Sequence, residues 1–170
     1  MNWFNLNRSK KVYTSADYLE SDLIQYSVDH LKAAEKLYDL SGRWTWEYLH
    51  SAMFLSHLSI ELLLKACLLH LEGEFPANHD LKRLFKRLRK QGIEISDQNK
   101  KWLNYLSQCI ELRYPNTESK IEVDINQWEQ TKTLFEELRR NFPKEIQIII
   151  VTHERYRSNV KSGKTIWPQK

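Results

Sequence analysis

His57, Glu61 and Lys65 recur every fourth residue through an otherwise apolar stretch. On a helix that spacing lays an imidazole, a carboxylate and an ammonium along one stripe, so the three point into a single groove. A Glu–Lys pair at i, i+4 contributes only about 0.2–0.5 kcal/mol on an exposed face. On a helix that is apolar elsewhere, Glu61 and Lys65 are placed instead to line a cleft or the seam of a dimer. Further on, His79 and Asp80 stand where a helix opens, positions suited to capping and local packing as much as to holding a ligand. Lys82, Arg83, Lys86, Arg87, Arg89 and Lys90 follow, and with Asp80 they give residues 79–90 a charge of +5. Such a run is either a solvated helix face or a surface that tracks phosphates. Arg113, beside Tyr114 and Pro115, falls at a helix end, where its planar fork can grip one phosphate with two hydrogen bonds. The plainer role there is pairing with a carboxylate or with the last helix carbonyls, which favour a cation.

Other chemistry finds little support. KSGKT, residues 161–165, ends like a phosphate-binding loop, but Ser158 stands where the first glycine belongs and no strand-to-helix turn precedes it. No HExxH, CxxC, GxSxG or His/Cys cluster with ligand spacing occurs, so neither a metal nor another cofactor is expected. Cys67 and Cys109 lie inside apolar helical patterns and read as small buried thiols.

The elements that must position these residues are helical. With only 4 Gly and 4 Pro in 170 residues, the chain lacks the turns of a β-sandwich, and its 41% apolar and 28% charged residues suit one globular domain rather than disorder. The net charge of +4 is uneven: +3 over residues 1–11, +5 over 79–90 and +4 over 152–170, which leaves −8 for the rest. Basic ends of this kind can meet a polyanion. The most apolar run, 60–71, is broken by Glu61, Lys65 and His70, and the first residues carry no apolar leader, so a cytoplasmic protein without a membrane span is expected.

Apolar periodicity predicts a first helix over 15–40, with Ile24, Val28, Leu31, Ala34 and Tyr38 on one face, Thr14 or Ser15 as cap and Gly42 past its end. The second, 44–71, is apolar nearly all round and should be central. Gly73 and Pro76 end it, and Asn78 is a candidate cap for a third helix whose Leu81, Leu84, Phe85 and Leu88 face inward, with its basic residues on the solvent side. A fourth helix is predicted over 96–112, and a fifth over 125–141 with an Asp124–Gln127 capping spacing. The run 145–151, EIQIIIV, reads as a strand or extended tail. The expected organisation is a basic arm (1–14), a helical bundle (15–142) and a basic tail with a short strand (143–170).

Three segments carry a family resemblance: SIELLLKACLL (59–69), FPANHDLKRLF (75–85) and LRYPN (112–116). Together, in this order, they resemble the HEPN family (higher eukaryote and prokaryote nucleotide-binding domains). The resemblance implies an all-α, up-and-down bundle of four to five helices. Many members are metal-free ribonucleases with an Arg followed after four to six residues by a His, usually paired across a dimer. There the RNA 2′-hydroxyl attacks its own phosphate, the His moves the proton and the Arg neutralises the phosphate. Here Arg113 stands at the expected place, but RYPNTESK supplies no His. Arg43 and His50 match that spacing at the wrong end of the central helix, a coincidence.

Arg-Tyr-Pro members look more like nucleotide or RNA binders that accompany a nucleotidyltransferase-type partner. The resemblance thus implies a homodimeric binding module of a bacterial toxin–antitoxin or defence pair. The alternatives are a metal-independent endoribonuclease that uses His57 or His79, and a non-catalytic partner whose groove receives a peptide or helix.

Overall fold

The most apolar segment becomes the helix on which the others pack. The computed structural model describes residues 12–41, 48–113, 121–124 and 126–161, with side chains to 155. Among them are six α-helices: α1 (Glu20–Ser41), α2 (Leu49–Glu72), α3 (Leu81–Lys90), α4 (Asp97–Leu106), α5 (Gln127–Asn141) and α6 (Lys144–Lys161). Two short strands, β1 (Val12–Thr14) and β2 (Glu74–Pro76), and a 3₁₀ helix, Ser107–Arg113, complete the order. The architecture is the all-α bundle expected.

Helix α2 touches α1, α3, α4, α6, β2 and the 3₁₀ helix, and α5 packs on α4 and α6. Ile60, Leu63, Leu64, Cys67 and Leu68 are wholly buried around its circumference. Its length and hydropathy would suit a membrane span, yet 78% of that stretch is buried inside the bundle, as in a core helix. Burial also pushes the thiols of Cys67 and Cys109 up to about 12, which leaves them inert at neutral pH.

Capping explains where the elements stop. Gly73 adopts a left-handed φ of 73° and donates its N–H to the Leu69 carbonyl (2.9 Å), closing α2 and turning the chain into β2. Asp80, rather than Asn78, caps α3 by accepting the N–H groups of Lys82 (3.0 Å) and Arg83 (3.3 Å), while Asn78 accepts that of Asp80. Gln127 reaches back to the Asp124 N–H at 3.0 Å, which is half of the predicted capping box.

Four expectations are corrected. The first helix begins at Glu20, because Asp17 accepts the Thr14 N–H (2.9 Å) in a turn and Thr14 itself closes β1. That strand pairs antiparallel with β2, Tyr13 opposite Phe75, so the end of the supposed arm belongs to the fold. The fourth helix tightens after Leu106 into the 3₁₀ helix. Residues 145–151 are helical, not extended: Ile146 and Ile150, four apart, are wholly buried, and Ile148 between them stays 65% exposed. Burial of one helical face overrides the β-propensity of an isoleucine run. The predicted start of the second helix near Trp44, and Gly42, lie outside the described residues.

Candidate functional site

The stripe on α2 does converge, but it is sealed rather than open. His57 is wholly buried, Glu61 is 3% exposed and Lys65 6%. The turn at Gly73 and the β2–α3 connection carry His79 back over the same helix. Lys65 Nζ donates to Glu61 Oε1 at 2.6 Å, and His79 Nδ1 lies 3.0 Å from both carboxylate oxygens. His57 Nε2 stands 3.3 Å from Oε2, within ion-pair range but poorly aligned for a hydrogen bond. Its Nδ1, 2.9 Å from the Leu106 carbonyl, must be the donor there, since a carbonyl only accepts.

Three groups thus meet at one buried carboxylate. Burial alone would raise the Glu61 pKa; the imidazoles of His57 and His79 and the Lys65 ammonium outweigh it and hold the carboxyl well below its ordinary range. Lys65 fills the place where a cation would neutralise the carboxylate, and among the described residues no group of three His, Cys, Asp or Glu is arranged for a metal ion.

Above this cluster opens a cleft of about 200 Å³. Lys65 and His79 form its polar side, and Leu23, Leu62 and Ala77 part of its apolar side. The remainder is aromatic: the Tyr13, Tyr18 and Phe75 rings lie with centroids 5.4–5.7 Å apart, and Lys65 Nζ sits 5.5 Å from the Phe75 centroid. Sequence reasoning did not find these three rings. Their meeting depends on the β1–β2 pairing, and strands of three residues are too short to leave an alternation in the sequence.

The other candidates spread outward from the cleft. His79, its side chain 53% exposed, stands at the mouth. Lys82, Arg83 and Lys86 are exposed on α3, with Arg83 Nε 3.2 Å from Asp80 Oδ2. Arg87, expected among them, turns back: its guanidinium bonds Glu72 (Nε 2.8 Å) and Glu74 (3.3 Å), tying α3 to the end of α2 and to β2. Arg113 is exposed at the end of the 3₁₀ helix, about 12 Å along its axis from Ser107 at ~2 Å per residue. Tyr114 and Arg43 lie outside the described residues; His50 is exposed on the first turn of α2. Ser107, also unforeseen, accepts the Leu81 N–H (3.1 Å) and donates to Asp80 Oδ1 (3.3 Å), docking the start of α3 against the α4 junction.

A family model of the HEPN domain matches residues 20–144. The chain belongs to the HEPN family. No curated protein and no solved structure matches it significantly. The HEPN match runs from the first residue of α1 to the first of α6, so it holds His57, Glu61, Lys65, Phe75, His79 and Arg113 but not Tyr13 or Tyr18. Two of the three cleft rings therefore lie before the matched residues. Membership is consistent with nucleotide or RNA binding and with nuclease-type chemistry.

Proposed function

We propose that this HEPN domain binds RNA or a nucleotide. Lys82, Arg83 and Lys86 would hold phosphates along α3, and Arg113 would grip one more. The observation that carries this is the placement of three exposed cations on the helix that starts beside the cleft mouth, directly after His79. Each phosphate neutralised releases counterions, so affinity for single-stranded RNA should fall steeply with salt. Titration of an RNA oligomer and a mononucleotide at several salt concentrations tests it. If neither binds at millimolar concentration, the reading fails and a protein-interaction subunit takes its place. In the cell we assign the domain to a bacterial toxin–antitoxin or defence pair, as a homodimer beside a nucleotidyltransferase-type partner. A monomer mass by light scattering at micromolar concentration would count against the dimer.

One observation favours a second reading. His79 is half-exposed and oriented by a carboxylate, an arrangement that suits a general base, whereas His57 is sealed in the core. In that case the domain is a metal-independent endoribonuclease. RNA cleavage that survives chelator and disappears in His79→Ala would replace the binding-module reading with this one.

A further inference from the structure

The cleft above Glu61 has a shape and lining that a phosphate surface alone does not need. Its volume of about 200 Å³ lies below the roughly 300–1,000 Å³ typical of sites that enclose a drug-sized ligand. A whole nucleotide does not fit inside; one planar ring system does. Phe75 is buried as the floor, while Tyr13 is half-buried and Tyr18 is 38% exposed, so both tyrosines offer surface to an incoming ring. Aromatic side chains that hold an unstacked base while cations track the backbone are a common means of binding single strands.

We infer that this cleft takes one unstacked base of a single-stranded RNA, held against Tyr18 and Tyr13 while α3 holds the neighbouring phosphates. This rests on the RNA-binding reading above and adds to it a site for the base. The polar side of the cleft narrows the choice of base. The Lys65 ammonium has three protons, and Glu61 takes one of them. Both oxygens of Glu61 are already engaged by Lys65 and His79. The remaining Lys65 protons favour a base that presents a carbonyl oxygen, such as uracil, over adenine, which has none, while His79, with Nδ1 on Glu61, keeps Nε2 at the mouth. An aromatic side chain of a protein partner would gain from the rings but not from the adjacent exposed cations, which makes RNA the better fit.

The test uses three fluorescein-labelled heptamers of identical charge: one wholly abasic, one with a single central uracil and one with a single central adenine. Anisotropy titrations of the full chain should rank uracil above adenine and adenine above abasic. Stacking on one aromatic side chain is worth about 5- to 150-fold in affinity. Tyr18→Ala should therefore remove most of the uracil advantage, leave the abasic heptamer and its salt dependence unchanged, and be rescued by Tyr18→Phe. Tyr18 is partly exposed, and an unchanged melting curve would confirm that the variant folds. If all three heptamers bind equally, or if Tyr18→Ala leaves the ranking intact, the base-binding cleft is overturned while RNA binding through α3 stands. If no heptamer binds at millimolar concentration, both readings fall.

Discussion

Glu61→Gln tests the cluster most directly, because it removes one charge and almost no volume. In the native protein Lys65 is 6% exposed with its ammonium 2.6 Å from the carboxylate, so the substitution leaves a buried cation without its counter-charge. Breaking a buried ion pair from one side typically costs about 3–5 kcal/mol. Half-exposed His79 can move toward water, which argues for the lower end, about 3 kcal/mol, against a total stability of about 5–15 kcal/mol for a domain. The double variant Glu61→Gln/Lys65→Met should recover much of the loss, since neither charge then remains buried.

Urea denaturation at pH 7 measures all three proteins. A pH series adds an independent sign. The folded Glu61 carboxyl titrates below its ordinary 4.5, so the stability it contributes is fully present above that pH and is lost as pH falls toward the folded value. Wild type should therefore lose stability below about pH 4.5 more steeply than Glu61→Gln. A loss under about 1 kcal/mol in the single variant, with parallel acid limbs, would mean that the pair is effectively solvated and the buried-cluster argument wrong.

Leu63 is wholly buried on α2, so Leu63→Ala should cost about 2–5 kcal/mol in a urea melt. Replacing Lys82 and Lys86 by Gln should reduce the magnitude of the log–log salt slope for single-stranded RNA by about 1.4, that is about 0.7 for each phosphate no longer neutralised, without changing stability. Arg87→Gln should do the reverse, lowering the urea midpoint and leaving the slope alone, because its partners are Glu72 and Glu74. Arg113→Ala should weaken RNA binding by about 1–3 kcal/mol, and Arg113→Lys should rescue little, since an ammonium cannot reproduce a two-pronged grip; equal binding by the lysine variant would remove the fork from the account.

The parts of the fold that the sequence reveals are those where burial imposes one clear period. Helix α2 shows itself by being apolar all round, and α3 by Leu81, Leu84, Phe85 and Leu88 at helical spacing, all buried. The error at residues 145–151 has a physical cause: three consecutive isoleucines hide that only Ile150 of them is wholly buried, with Ile146 one turn before. Along the site, the spacing of His57, Glu61 and Lys65 reveals a shared stripe but not its depth. That depth is set by His79 returning over α2 and by the aromatic rings above, both consequences of the turn at Gly73 and the pairing of β1 with β2. Arg87 shows the same limit. Helical periodicity places it near the solvent side of α3, while the acids that capture it belong to α2 and β2.

Two ties run from the cleft to the helix that carries Arg113, and they couple the buried cluster to binding. His57, wholly buried, donates to the carbonyl of Leu106, the last residue of α4. Ser107, the next residue, is held by Asp80 and Leu81 at the start of α3. At this junction the α-helix tightens into the 3₁₀ helix that ends on Arg113, so the start of that segment is held by His57, which also stands beside Glu61, and by the first residues of α3. Substitutions at Glu61 or His57 should then alter RNA affinity partly by moving Arg113, and their effects should not add to that of Arg113→Ala. Tyr18, Lys82 and Lys86 lie outside these ties. They are the positions at which weaker binding reports on the RNA-facing group itself rather than on the scaffold beneath it.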